Sequence, residues 1–288
     1  MSLFTPFAFV KAAGPGPGPY VPTNAEVVAW VTATGIATDT LIEAVDDFVT
    51  GCKDDSIWSK FKAVYPFVTD SVTTATIKDQ FKYNLVDTTT FTLSYTGSST
   101  VGYGGYTNGG AGSMIGTGFV PSTNLDSVNS IHMSIYTTSG NPGTDVIDLG
   151  GGVGNYSYVV CGRNSGPNTN QVLTAVVASQ FADTTGNSIF TGLFVGTYAN
   201  PTIESYNTRL WRRGTIVAND NGTGGPANGQ MGIGTFYYGA SIINPTSKQY
   251  QFVSFGSHMD STDVSNFNTR VDDLQAAVDA IYATSRAV

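Results

Sequence analysis

The sequence predicts a mainly β protein: an antiparallel β-sandwich preceded by a small N-terminal helical segment and closed by a C-terminal helix. Between residues 88 and 256, short apolar runs are separated by clusters of Gly, Asn, Pro and Thr, without interleaved long helices. That pattern favours antiparallel sheets over βαβ units. Ile131, Met133 and Ile135 alternate with polar neighbours, which is the period of a strand with one buried face.

Composition excludes several classes of protein. The chain has 288 residues, 41% of them hydrophobic and 12% aromatic, which is too apolar for a disordered chain. Thirteen Lys and Arg against 21 Asp and Glu give a net charge of −8, and a nucleic-acid groove would need a basic stripe. No apolar run approaches the roughly 18 residues of a membrane span. We therefore expect one large domain, or one with a small appendage, that binds no nucleic acid and does not span a membrane.

Three zones follow one another along the chain: an extended anchoring tail over 1–22, a helical segment over 23–68, and the sandwich with its closing helix over 69–288. In the first zone an apolar tip precedes alternating Gly and Pro at 14–19, which form an extended tether. The tip is either a frayed tail or a docking peptide that buries its three phenylalanines on another subunit. Those anchoring candidates are Phe4, Phe7 and Phe9.

The helices are predicted from caps and spacing. Asn24 can cap a first helix, and Thr40 with Glu43 has the capping-box pattern at the start of a second. Ser56 is predicted to start a third, short helix with Ile57, Trp58, Phe61 and Val64 as its apolar residues. Residues 261–263 can cap the final helix, whose apolar positions are Val264, Phe267, Val271, Leu274, Val278 and Ile281. The predicted strands are 91–95, 131–136, 156–161, 171–177, 189–195, 209–217, 231–238 and 249–255.

Signals for catalysis are weak. The chain has two histidines, and alternation predicts that His132 faces outward from its strand while His258 lies in the turn before the final helix, so both are expected at the surface. A glycosidase needs a pair of carboxylates, and Asp145 with Asp148 stays open as that pair, although residues three apart would face opposite sides of a strand. The sequence therefore predicts no enzyme, no catalytic residue, no cofactor and no metal site.

The neutral β surface suggests one ligand class. Sugars are recognised by aromatic faces together with neutral amide and hydroxyl groups, and the segment 103–108 supplies those residue types. The candidate glycan-binding residues are Tyr103, Tyr106 and Asn108. The alternative is that both tyrosines belong to an ordinary strand pair of the sandwich.

Residues 55–68, with the sequence DSIWSKFKAVYPFV, resemble a segment that recurs in tailed-bacteriophage virion proteins. In those proteins it follows a short helical pair and precedes a jelly-roll β-sandwich of the concanavalin A-like, laminin-G-like type. Residues 80–85, 119–125, 131–136 and 252–256 resemble successive parts of that sandwich, so the likeness covers about 24–284. The resemblance implies such a jelly roll, assembled into a virion after synthesis in the host cytoplasm. It transfers no site residue, because the fold hosts many functions.

These observations support an ordered set of functional hypotheses. The first is a structural or adhesive head or tail appendage, anchored to other virion proteins through residues 1–13 and displaying a lectin-like jelly roll. The second is a tail protein that binds a host glycan receptor. The third, a polysaccharide-degrading enzyme, would require a carboxylate pair in a cleft. Analogy with fibre-like appendages predicts a homo-oligomer, specifically a trimer.

Overall fold

The computed structural model describes residues 19–286 except 111, 128, 140–146, 154, 166–167, 176–180, 184–190, 200–207, 221–225, 240 and 244. Phe4, Phe7, Phe9 and Asp145 therefore lie outside the described residues. The helices are α1 (Ala25–Thr34), α2 (Asp39–Asp54), α3 (Thr74–Phe81), α4 (Pro121–Asn124) and α5 (Ser261–Arg286). None of these helices is both long enough and apolar enough to cross a membrane.

The strands of the described chain are β1 (Phe61–Tyr65), β2 (Ser94–Thr96), β3 (Ser99–Gly102), β4 (Gly105–Asn108), β5 (Met114–Gly116), β6 (Ser130–Thr137), β7 (Leu149–Val153), β8 (Asn155–Ser165), β9 (Asn168–Ala175), β10 (Phe181–Asp183), β11 (Gly192–Ala199), β12 (Thr208–Arg212), β13 (Thr215–Asp220), β14 (Gly232–Ile233), β15 (Phe236–Tyr238), β16 (Ser241–Ile243) and β17 (Gln249–Gly256).

The strands form two sheets that pack face to face. The central sheet has the order β13-β12-β11-β6-β17-β4-β3, with β1 also paired to β17. The outer sheet has the order β10-β9-β8-β7-β14-β5-β2, and β15 joins it between β7 and β16. The pairs within these orders are antiparallel, whereas β15 runs parallel to β7. The predicted fold class, a mainly β antiparallel sandwich with N-terminal helices and a C-terminal helix, is confirmed.

The central sheet is buried on both faces. Phe194 and Tyr198 of β11 pack between the two sheets, whereas Leu193 and Val195 of the same strand pack against the helices. Because successive side chains of a strand point to opposite faces, β11 contributes to two hydrophobic cores, one on each side of the sheet. The helix-side core takes its other large residues from α1, α2 and α5, among them Trp30, Phe48, Phe267 and Leu274. The fold therefore has three layers: helices, central sheet and outer sheet.

Helix α5 begins with a capping box one residue earlier than predicted. The Asp260 carboxylate accepts hydrogen bonds from the backbone N–H of Thr262 (2.8 Å) and Asp263 (2.9 Å), and the Asp263 carboxylate accepts one from the N–H of Asp260 (2.8 Å). This reciprocal pair satisfies N–H groups that have no partner within the helix. The predicted apolar positions from Val264 to Val278 are buried, which fixes α5 against the central sheet.

Two predictions at the N-terminal helices are wrong, and a third holds only for the position of the cap. The predicted third helix is one 3-10 turn, Trp58–Lys60, followed by strand β1, because pairing with β17 satisfies that backbone and buries both of its faces. Helix α2 begins at Asp39 rather than at a capping box on Thr40, and the N–H groups before it bond to the Asp70 carboxylate instead. Asn24 is the N-cap of α1, but its side chain makes no capping bond.

Candidate functional site

A cleft of about 360 Å³ lies between the C-terminal end of α5 and the edge of the central sheet. Its lining comes from the turn between β3 and β4, from the residue after β6, from the start of β17 and from the last turns of α5. The lining residues are Tyr103, Gly104, Thr138, Gln249, Gln251, Asp279, Tyr282 and Ala283. They combine two aromatic rings with amide, hydroxyl and carboxylate groups.

One wall of the cleft is a stacked pair of tyrosines. The ring centroids of Tyr103 and Tyr282 are 4.6 Å apart with 26° between their planes. The Tyr282 hydroxyl donates to the carbonyl of Thr69 (3.0 Å) and accepts from its N–H (2.9 Å). Burial raises the pKa of Tyr282 well above its usual value, so this phenol stays neutral. Tyr282 is thus a rigid support, and Tyr103 is the half-exposed ring stacked on it.

Two glycines bring Tyr103 to this position. Tyr103 and Gly104 form the two-residue turn that joins β3 to β4. A Cβ on Gly105, where φ is +96°, would lie 2.1 Å from the carbonyl oxygen of Tyr250. A Cβ on Gly104 would lie 2.2 Å from Nε2 of Gln249. At position 105 the obstacle is backbone and φ is positive, so only glycine allows this hairpin to approach β17 so closely, whereas the obstacle at position 104 is the movable end of a side chain.

A β-bulge turns Gln251 toward the cleft. In the pairing of β17 with β6, Tyr250 lies opposite Thr137 and Phe252 lies opposite Tyr136, which leaves Gln251 as the extra residue. Tyr250 therefore packs between the sheets, whereas Phe252, two positions on, packs against the helices. Bulges often redirect a side chain in this way next to functional sites.

Gln251 contributes a buried acceptor without a partner. Its side chain is 6% exposed, and its Oε1 has no hydrogen-bond partner among the described residues. Leaving a buried amide oxygen unpaired costs about 1–3 kcal/mol. Because Gln251 also lines the cleft, a ligand that donates a hydrogen bond there would remove that cost.

The opening of the cleft carries polar and acidic groups. The Thr138 hydroxyl donates to Oε1 of Gln249 at 3.0 Å, so this amide is already oriented. Asp279 is exposed and is the charged side chain of the lining. The charges that act on the Tyr282 phenol are the carboxylates of Asp70 and Asp279. The charged groups of the described residues around the cleft are therefore carboxylates.

The structure separates the three candidate glycan-binding residues. Tyr103 lines the cleft, but Tyr106 is 0% and Asn108 is 1% exposed. The Tyr106 hydroxyl donates to Oδ1 of Asn108 (3.2 Å), and Nδ2 of Asn108 donates to the carbonyl of Gly234 (2.7 Å). Neither side chain is open to a glycan, because both point from β4 into the space between the sheets.

The expectation that His132 lies at the surface is wrong. Alternation correctly turns it away from the inter-sheet core, but Phe61 and Phe267 cover that face and the ring is 0% exposed. Burial lowers the pKa of His132 to about 4, although its 2.6 Å hydrogen bond to the carbonyl of Ser257 acts in the other direction. His258 is half-buried in the connection before α5.

Asp148 belongs to a buried ion pair in the protein interior. It is wholly buried between the sheets, 3.0 Å from the ammonium group of Lys248, which is itself 0% exposed. The Tyr250 hydroxyl donates to its other oxygen at 2.6 Å. This carboxylate therefore stabilises the interior and does not open into the cleft.

Sequence reasoning missed most of the cleft. Gln249, Gln251, Asp279 and Tyr282 belong to segments far from Tyr103 in the chain, and no local motif connects them. The signal that the sequence offers is the pair of glutamines at the start of an otherwise apolar strand, which indicates a polar strand end but not what lies against it.

Comparisons with solved structures identify the fold. Domain 4 of AbnA, a GH43 extracellular arabinanase from Geobacillus stearothermophilus in complex with arabinotriose, covers 73% of this chain and 98% of its own, with 12% identity and a TM-score of 0.50. Trypanosoma rangeli sialidase in complex with 2,3-difluorosialic acid matches 80% of this chain and 39% of its own, with 10% identity and a TM-score of 0.42. A botulinum neurotoxin type C structure matches 74% and 51%, with 10% identity and a TM-score of 0.40.

Neither a protein-family model nor a curated protein sequence matches this chain. At these identities the structural matches show the fold alone. The prediction that the chain is not an enzyme, which was drawn from its sparse catalytic motifs, is nevertheless wrong. One similar structure, which covers 73% of this chain, is a domain of an arabinanase, so this fold occurs within carbohydrate-active enzymes.

Proposed function

We propose that the cleft beside the Tyr103–Tyr282 pair is a carbohydrate-recognition site. The observation that carries the proposal is the buried, unpartnered Oε1 of Gln251 next to a half-exposed aromatic ring. A sugar presents apolar C–H faces that pack on aromatic rings and hydroxyls that donate hydrogen bonds. The cleft offers a surface for the first and an acceptor for the second.

The size of the cleft and the fold support this proposal. A volume of about 360 Å³ lies at the lower end of the range of ligand pockets and suits one or two sugar units. Domain 4 of AbnA, which is similar across almost its whole length, was solved with arabinotriose. A sandwich of this kind can therefore hold an oligosaccharide, and the cleft is where we propose that this chain does so.

The test is a glycan array with the multivalent protein, followed by calorimetric titration of the best ligand. Tyr103→Ala should weaken binding about tenfold or more, because an aromatic contact and part of the wall are lost. Tyr238→Ala is the matched control, since Tyr238 is 48% exposed and lies on the outer sheet. Thermal unfolding of both variants checks their folding. Absence of binding to every glycan at high valency, or equal effects of the two substitutions, would overturn the proposal.

We further propose that the chain works as a virion appendage anchored by residues 1–13. The resemblance of residues 55–68 to phage virion proteins supports this setting. A second support is Asp46, whose carboxylate binds Tyr20, Thr23 and Asn24 and so holds the chain directly after the Gly-Pro tract. A tether that transmits force needs such a fixed end.

The anchoring proposal has its own test. Deleting residues 1–13 should abolish incorporation into particles while thermal unfolding of the isolated protein stays unchanged. The triple substitution of Phe4, Phe7 and Phe9 by Ser should have the same effect. Ultracentrifugation of the intact chain should give a trimer, as the analogy with fibre-like appendages predicts. Normal incorporation of the deleted protein would refute the anchor.

A further inference from the structure

We infer that the cleft selects uncharged, hydroxyl-rich saccharides and discriminates against acidic sugars, an inference that rests on the proposed carbohydrate site. Asp279, at the opening, and Gln251, at the wall, supply the acceptors on which this selectivity depends. Both accept hydrogen bonds through oxygen atoms. A ligand must therefore bring donors, and hydroxyls are the donors that every neutral sugar carries.

The charges around the aromatic pair work against an anionic ligand. On one side of the rings lies the exposed carboxylate of Asp279, and on the other a smaller cavity of about 50 Å³ is lined by Asp70. The Asp70 carboxylate is fixed by the N–H of Ala37 (2.7 Å) and by Nε2 of Gln80 (2.7 Å). Lys and Arg are missing from the described lining of both cavities.

A carboxylate of sialic or uronic acid would therefore meet the negative charges of Asp279 and Asp70, and the described lining offers it no cation. Like charges repel at contact distance even where water is near, and a buried acceptor such as Oε1 of Gln251 cannot hydrogen-bond to a second acceptor. The net charge of −8 adds a weaker repulsion at long range, which salt screens. Neutral sugars meet neither obstacle.

The test uses matched pairs of conjugates that differ by one acidic group: lactose against 3′-sialyllactose, and glucose-terminated against glucuronate-terminated oligosaccharides. We expect the neutral member of each bound pair to bind at least tenfold more tightly at low salt, with a smaller ratio at 0.5 M salt as screening removes the repulsion. Asp279→Asn removes the charge at the opening, so the ratio should fall severalfold. Asp273→Asn is the control, because it changes the same charge on α5 outside the cleft.

The outcomes separate this inference from the proposed function. If the wild-type protein binds neither member of any pair and no glycan of the array at high valency, the carbohydrate site itself is refuted. If both members bind with equal affinity, or the acidic one binds more tightly, the site stands and the selectivity is refuted. An unchanged ratio in Asp279→Asn would likewise refute the role of Asp279, and an equal change in Asp273→Asn would show that only net charge matters.

Discussion

Substituting Asp46 by Asn tests how the chain is held where the Gly-Pro tract meets the folded body. Asp46 lies on α2 and is 1% exposed. Its Oδ2 accepts hydrogen bonds from Tyr20 Oη (2.8 Å), Thr23 N (2.8 Å) and Thr23 Oγ1 (2.9 Å), and its Oδ1 accepts from Asn24 N (3.0 Å) and Asn24 Nδ2 (2.8 Å). Asparagine keeps one acceptor oxygen, so the best orientation preserves three of these bonds and breaks two.

The stability lost in Asp46→Asn can be estimated from the pKa of Asp46 and from its hydrogen bonds, and the two estimates agree. Burial alone would raise the pKa of Asp46, but the bonds from Thr23, Asn24 and Tyr20 outweigh it and lower the pKa from 3.8 to about 2. That difference corresponds to about 2.5 kcal/mol of folding free energy. Losing two hydrogen bonds to a charged acceptor costs about 3 kcal/mol at the lower end of the range. We therefore expect Asp46→Asn to be about 3 kcal/mol less stable at pH 6.

The effect of Asp46→Asn on stability should depend on pH in a definite direction. A carboxylate with a lowered pKa stabilises the fold above its unfolded pKa and loses that effect as pH falls through its folded pKa. The difference in free energy of unfolding between wild type and Asp46→Asn, measured in urea, should therefore shrink by about 2 kcal/mol from pH 6 to pH 2. Asp47→Asn, an exposed neighbour, should change stability by less than about 0.5 kcal/mol. A difference that stays constant with pH would refute the reasoning.

Three further changes test other contacts. Gly105→Ala places a Cβ against the backbone carbonyl of Tyr250 at positive φ and should lower the free energy of unfolding by at least about 2 kcal/mol; wild-type stability would contradict it. Asp148→Asn removes the carboxylate that lies 3.0 Å from the buried Lys248 ammonium and should cost about 3–5 kcal/mol in urea unfolding, whereas a loss below about 1 kcal/mol would show that the pair is unimportant. The His132 ring should stay neutral down to about pH 4 in NMR titration, so its burial stabilises the fold above pH 6.5 and about 2 kcal/mol is lost between pH 7 and pH 5; an ordinary titration midpoint would rule this out.

The local spacing of apolar residues predicted which side chains share a face of a strand or helix more accurately than it predicted what packs against that face. The alternation in β6 gave the correct faces for Met133 and Ile135, and helical spacing gave the buried positions of α5. The same alternation placed His132 on the outer face, which is correct, and at the surface, which is not. Burial depends on what lies against a face, and here α5, distant in sequence, lies against it.

The same is true of the candidate site, where the residue types were predicted better than their burial. Tyr103 was selected for its residue type beside glycines and does line the cleft, whereas Tyr106 and Asn108, selected on the same ground, are buried. A register argument could separate a turn residue from strand residues, but it could not show that β4 faces another sheet. Phe61 was assigned to a helix on the spacing of its apolar neighbours, and that spacing misled because the short strand β1 is apolar on both faces.

Periodicity alone determined that this chain forms strands in its middle and a long helix at its end, because the spacing of apolar residues reflects the local geometry of each element. The order of the strands, the bulge at Gln251 and the approach of α5 to the hairpin were decided only by tertiary structure. The cleft combines segments near 103, 138, 250 and 280, and contacts over such separations depend on which faces pack together. Its chemistry was present in the sequence, but its assembly required the fold.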